Sequence, residues 1–163
     1  MNAGVGKVLT QADIKKYDIS APQGSALLQL FGIDETKFCH VFNGKSKKIS
    51  EHIDKKPKAD MSNIKRFLKT AIGSGYWMIH GHDNGKITMW EMTTQKTNAA
   101  ANSISKPVVY YGGKTGTGKR IDVEFTNEYF DFKLNIRNKQ SGIYPSHVML
   151  DYKSKSALQK IEL

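Results

Sequence analysis

The chain has 163 residues, a formal charge of +10, 39% hydrophobic and 25% charged residues, and one cysteine. That size and balance predict one α+β domain over residues 1–163 and exclude a disordered chain. They exclude a disulfide scaffold as well, because Cys39 has no partner within the chain. No apolar run approaches the ~20 residues that span a bilayer, and the first residues lack the apolar core of a secretory signal. An intracellular, non-secreted protein without a membrane partner is expected, and the positive charge points to nucleic acid as the partner.

In chain order, Thr10 and Asp13 mark a short helix that Pro22 and Gly24 interrupt. Ser25 to Phe31 reads as a buried helical turn stopped by Gly32. Lys37 to Phe42 reads as a strand, with Asn43-Gly44 as its turn. Between Lys45 and Lys69 stand nine basic residues and only three acidic ones. Within that stretch Asp60 or Ser62 caps a helix over Met61 to Ile72, with Met61, Ile64, Leu68 and Ala71 or Ile72 as its apolar stripe. Lys65, Arg66 and Lys69 then form a cationic face suited to phosphate oxygens, or simply a solvated one.

Tyr76 to His82 and Lys86 to Thr93 form a hairpin closed by Asp83-Asn84-Gly85. His80 and His82 share a strand face at metal-ligand spacing, but a third ligand would have to come from elsewhere, such as His40, His147 or Asp83. Thr94 to Lys106 is a loop or weak helix. Arg120 to Lys139 reads as a second hairpin of strict alternation. Ile121, Val123, Phe125, Phe130, Phe132, Leu134 and Ile136 make one apolar face, and the opposite face carries Arg120, Asp122, Glu124, Tyr129, Asp131, Lys133, Asn135, Arg137 and Lys139. A last strand, V-M-L-D-Y-K, follows a loop containing Tyr144. Strands grouped in hairpins, with two to four helices, predict a mostly antiparallel sheet.

Gly113 to Lys119 fills seven positions of a phosphate-binding loop. The eighth, which holds magnesium through Ser or Thr, is Arg120, and a strand follows in place of a helix. A flexible loop whose Lys114, Lys119 and Arg120 reach a nucleic-acid backbone fits this better than a nucleotide triphosphatase.

Asp122, Asp131 and Lys133, placed as Asp then Asp-x-Lys on consecutive strands, resemble the catalytic half of the PD-(D/E)xK nucleases. The resemblance implies two carboxylates holding Mg²⁺ and a lysine activating water. No proline precedes Asp122, and the helix over Met61 to Ile72 lacks the glutamate that often completes such a site. The competing reading is a cross-strand ladder of ion pairs. Asn135, Arg137, Lys139 and Gln140, with Tyr144 beyond them, carry the side chains that read or stack on bases. The expected function is nucleic-acid binding through a cationic helix and a polar hairpin face, without a cofactor. The alternatives are an Mg²⁺-dependent nuclease and an assembly protein, for instance of a virus particle.

Overall fold

The computed structural model describes residues 7–8, 28–137, 147–155 and 161–162. Its centre is an antiparallel meander of four strands: β5 (Val108–Tyr111), β6 (Arg120–Thr126), β7 (Phe130–Arg137) and β8 (His147–Ser154). Two-residue strands flank it, β1 (Lys7–Val8) on β8 and β2 (Ile53–Asp54) on β5, giving the order β1-β8-β7-β6-β5-β2. Each central strand buries every second residue, as alternation demands of a sheet covered on one side. Val109, Tyr111, Ile121, Val123, Phe125, Phe130, Phe132, Leu134, Ile136, Leu150 and Tyr152 all lie in the core. The turn between β6 and β7 is fixed by Asn127, whose Oδ1 accepts from the Tyr129 and Phe130 amides at 2.8 and 2.7 Å. The α+β architecture and the hairpin-built antiparallel sheet are as the sequence predicts.

The apolar face is covered by helical residues 28–31 and by three helices, α1 (Glu35–Phe42), α2 (Met61–Ile72) and α3 (Thr94–Asn102). α2 has the predicted bounds. Ile64, Leu68 and Ile72 recur every fourth residue and are buried, and the Asp60 carboxylate caps it by accepting from the Asn63 amide at 3.1 Å. That bond holds the Asp60 carboxyl below the usual range. α3 appears where a loop or weak helix was expected. Thr93 caps it, Ala100 and Ala101 face the core, and the Thr97 hydroxyl donates to the Gly73 carbonyl at the end of α2.

α1 corrects the strand expected at Lys37 to Phe42. Its buried residues are Phe38, Val41 and Phe42, the i, i+3, i+4 set of a helix. Asp34 caps it, accepting from the Lys37 amide at 2.8 Å. Asn43-Gly44 therefore ends a helix and does not close a hairpin; Gly44 takes the positive φ of 69°. The expected helix near Thr10 lies outside the described residues. Among those residues no helix is long and apolar enough to cross a membrane.

A second sheet, β3 (Tyr76–Gly81), β4 (Ile87–Met92) and β9 (Ile161–Glu162), is joined in the order β3-β4-β9. Met78, Trp90 and Met92 pack inward, and the Tyr76 hydroxyl donates to the Ile72 carbonyl. Trp77 and Ile79 face out.

Tyr111 ties the layers together. Its ring is fully enclosed, and its hydroxyl oxygen accepts from the Asp34 amide at 2.7 Å. Burial pushes its pKa up to about 12; the Asp34 amide bond opposes the rise, and the Asp34 and Asp54 charges add to it. The unfolded chain ionises this phenol near pH 10 and the folded one does not. Its contribution is therefore complete below about pH 10 and lost as pH rises towards 12, amounting to roughly 2 kcal/mol. Urea midpoints measured from pH 8 to pH 12 should fall less steeply in Tyr111→Phe than in the wild type.

Candidate nucleic-acid interface

The polar side of the meander is built in rows. Tyr110, Asp122, Asn135 and Met149 stand side by side, as do Val108, Glu124, Lys133 and Asp151, and then Thr126, Asp131 and Lys153. Arg120 faces Arg137 at the other end. A groove of about 730 Å³ runs over the lower rows, lined by Lys106, Tyr110, Lys114, Glu124, Lys133 and Asp151 among others.

Asp122, Glu124 and Asp131 draw four cations of this face into ion pairs. Asp122 is wholly enclosed, and its Oδ2 lies 3.4 Å from both Arg120 Nε and Lys133 Nζ. Glu124 takes Lys114 at 3.3 Å and Lys133 at 4.0 Å. Asp131 accepts from the Thr126 hydroxyl at 2.7 Å and pairs with Lys155 at 3.0 Å. The Thr126 bond first, then Lys155, holds the Asp131 carboxyl below its ordinary value. The Asn135 amide, itself buried, donates to Asp151 at 3.0 Å and accepts from Arg137 at 3.4 Å. Every ion pair among the described residues uses Asp122, Glu124 or Asp131. Asn135 is thus a structural amide with no free edge for a base.

The nuclease-like triad does not converge. Asp122 stands opposite Asn135 and Asp131 opposite Thr126, so the two carboxylates lie four residues apart along the sheet, about 13 Å. They share a face but not a row. The acid opposite Lys133 in register is Glu124, although its amine also reaches Asp122, and among the described residues no group of three or more His, Cys, Asp or Glu is arranged to hold a metal ion. His80 and His82 do lie together, with ring centroids 4.4 Å apart, but His82 Nε2 is engaged by the Thr88 hydroxyl at 2.6 Å.

The glycine-rich stretch closes on itself and leads into β6. The Gly118 amide donates to the Gly112 carbonyl at 2.8 Å and the Gly116 amide to the Gly113 carbonyl at 3.1 Å. A Cβ on Gly112 would meet the Gly116 backbone at 2.5 Å, so the loop needs hydrogen there. A strand, β6, follows the loop where a phosphate-binding loop opens a helix. Lys114 turns inward to Glu124 and over the Tyr110 ring, 5.7 Å from its centroid. Lys119 is exposed.

α2 presents the opposite electrostatics. Arg66 is exposed and Lys65 and Lys69 are half-buried. Lys55, Lys56 and Lys58, all exposed, lead directly into its Asp60 cap. Among the described residues none of these six cations has a carboxylate within ion-pairing distance. Their contiguity with the cap is the sequence signal that places Lys55, Lys56 and Lys58 just before the cationic helix.

The helix and the polar sheet face lie on opposite sides of the molecule. Phe67 of α2 meets Phe31 edge-on at 6.0 Å, and Phe31 stacks on Phe125 at 6.4 Å. Phe125 points away from the Glu124 side, so α2 lies across the sheet from Asp122 and Lys133. Lys139, Gln140 and Tyr144 fall outside the described residues. No protein-family model, curated protein or solved structure matches the chain.

Proposed function

We propose that the protein binds nucleic acid through backbone phosphates, using the cationic face of α2 and the lysines that precede it. The supporting observation is the contrast between two charged surfaces. On the polar sheet face Lys114, Arg120, Lys133 and Lys155 are each paired with a carboxylate, whereas Lys55, Lys56, Lys58, Lys65, Arg66 and Lys69 have none among the described residues. Lys65 and Lys69 stand one helical turn apart, about 6 Å along the axis, a comfortable reach for neighbouring phosphates of one strand. Such contacts release condensed counterions and carry no sequence information. The sheet face in this reading is a scaffold, with Arg120, Lys133 and Arg137 holding its buried polar groups.

The test is incubation with single- and double-stranded DNA and RNA, with and without Mg²⁺, scored for binding and cleavage. Binding that weakens steeply with salt, little dependence on sequence, and no cleavage are expected. Mg²⁺-dependent cleavage would point back to a catalytic site, and absence of binding at low salt would sink the proposal.

A second reading, an assembly protein, is favoured by one observation: the outer side of the β3–β4 hairpin exposes Trp77, Ile79 and Ile87. Large apolar side chains grouped on one strand pair are uncommon on a monomer's surface.

A further inference from the structure

β3 combines two features that each call for a partner. It is the terminal strand of its sheet among the described residues, so one of its edges carries unpaired backbone groups. It also bears no Lys, Arg, Asp, Glu or Pro, the residues that ordinarily guard such an edge. Its outward side chains, Trp77 and Ile79, are 45% and 64% exposed, with Ile87 at 40% on the neighbouring strand.

The hydrogen-bond pattern decides which groups the open edge offers. The His82 amide donates to the Lys86 carbonyl at 2.8 Å, which marks that opposed pair as a bonded one. Bonded and non-bonded pairs alternate along an antiparallel ladder. His80 and Met78 therefore face β4 with their backbone groups, and Trp77 and Ile79 present theirs at the free edge. The same two residues supply both the open backbone and the open apolar surface.

We propose that β3 pairs antiparallel with β3 of a second copy of this chain, about a two-fold axis through Met78. In that register Trp77 lies opposite Ile79 of the second copy, and Ile79 opposite its Trp77. Each pair exchanges both its backbone bonds, and each sets an aromatic ring beside a β-branched side chain, a favourable cross-strand combination. No charged residue of one β3 meets a like charge across the axis. The occupant is a second copy because the strand is complementary to itself in this register. Trp77 and Ile79 leave roughly 200 Å² of apolar side chain per copy along the seam, so the contact falls at the small end of interfaces. The dimer is accordingly concentration-dependent and not obligate.

Sedimentation velocity of the full chain from about 1 to several hundred micromolar tests this, alongside Ile79→Lys and Trp77→Lys. Both substitutions are at outward positions, and circular dichroism with a thermal melt checks that each variant is folded. The wild-type mass should rise towards twice the monomer with concentration, and both variants should stay monomeric. Hydrogen exchange supplies the second readout. The Trp77 and Ile79 amides should slow as concentration rises, while those of Met78 and His80, already bonded to β4, should not change. A wild type that stays monomeric throughout overturns the proposal. So does a dimer that survives Ile79→Lys, or one in which exchange at Trp77 and Ile79 is indifferent to concentration.

Discussion

Phe132→Ala should lower the stability of the protein by about 3–5 kcal/mol, read as a fall in the urea midpoint with little change in slope. Phe132 is enclosed at the centre of the meander, with ring centroids of Phe125, Phe130 and Tyr152 at 5.2, 5.6 and 6.2 Å. Those neighbours belong to three different strands, and their backbones are fixed by ladder hydrogen bonds. The space left by the ring cannot close, so the loss combines transfer and cavity costs. A loss below ~1 kcal/mol would mean that the apolar face is not assembled as described.

The second large effect lies one residue away, on the other side of the sheet. Removing both cations that hold Asp122, in the pair Arg120→Met and Lys133→Met, should cost about 3–5 kcal/mol, because it leaves an enclosed carboxylate without a counter-charge. Either substitution alone should cost less, since one partner remains at 3.4 Å. Adding Asp122→Leu to the double variant should recover most of the loss, because a buried ion cluster replaced by apolar groups of similar volume is often neutral. A double variant as stable as the wild type would show that solvent, and not Arg120 and Lys133, compensates Asp122. Lys133 is therefore not the inert surface residue that its place on the polar strand face suggests.

Much of this architecture was legible in the sequence because local and global signals agree. The strict alternation of β6 and β7 and the four-residue recurrence of Ile64, Leu68 and Ile72 each admit one reading, and Asp60 is one of the two caps the sequence offers for α2. K-F-C-H-V-F does not. Phe38 and Phe42 are compatible with one face of a strand as well as with one stripe of a helix, and Asp34, one turn upstream, decides it by capping. The spacing of the nuclease-like triad was not legible for a different reason. Alternation says which face a side chain takes, but only register says which row, and the register of β6 against β7 depends on the turn that Asn127 closes. Asp122 and Asp131 share the first property and not the second.

The opposition of α2 and the polar sheet face was also available in principle. An amphipathic helix must lay its apolar stripe on the apolar side of the sheet, which turns its cations away from the Asp122 side. Polar residues in rows suggested a recognition surface, yet such rows bind outward only where their charges are not already matched. The pairing of Asn135 with Asp151 required β8 to be placed beside β7, which no local pattern specifies.

The central claim is that unpaired cations on α2 carry nucleic-acid binding. It is tested most directly by the salt dependence of affinity for one oligonucleotide in three proteins: the wild type, the triple Ala variant of Lys65, Arg66 and Lys69, and the double Ala variant of Lys114 and Lys155, two cations that pair with carboxylates on the sheet face. The helix variant should bind more weakly, with a salt slope reduced by up to ~0.9 log units per lost contact on duplex DNA, and the sheet variant should keep close to the wild-type slope. A helix variant unchanged in both affinity and slope, or a loss confined to the sheet variant, would contradict it.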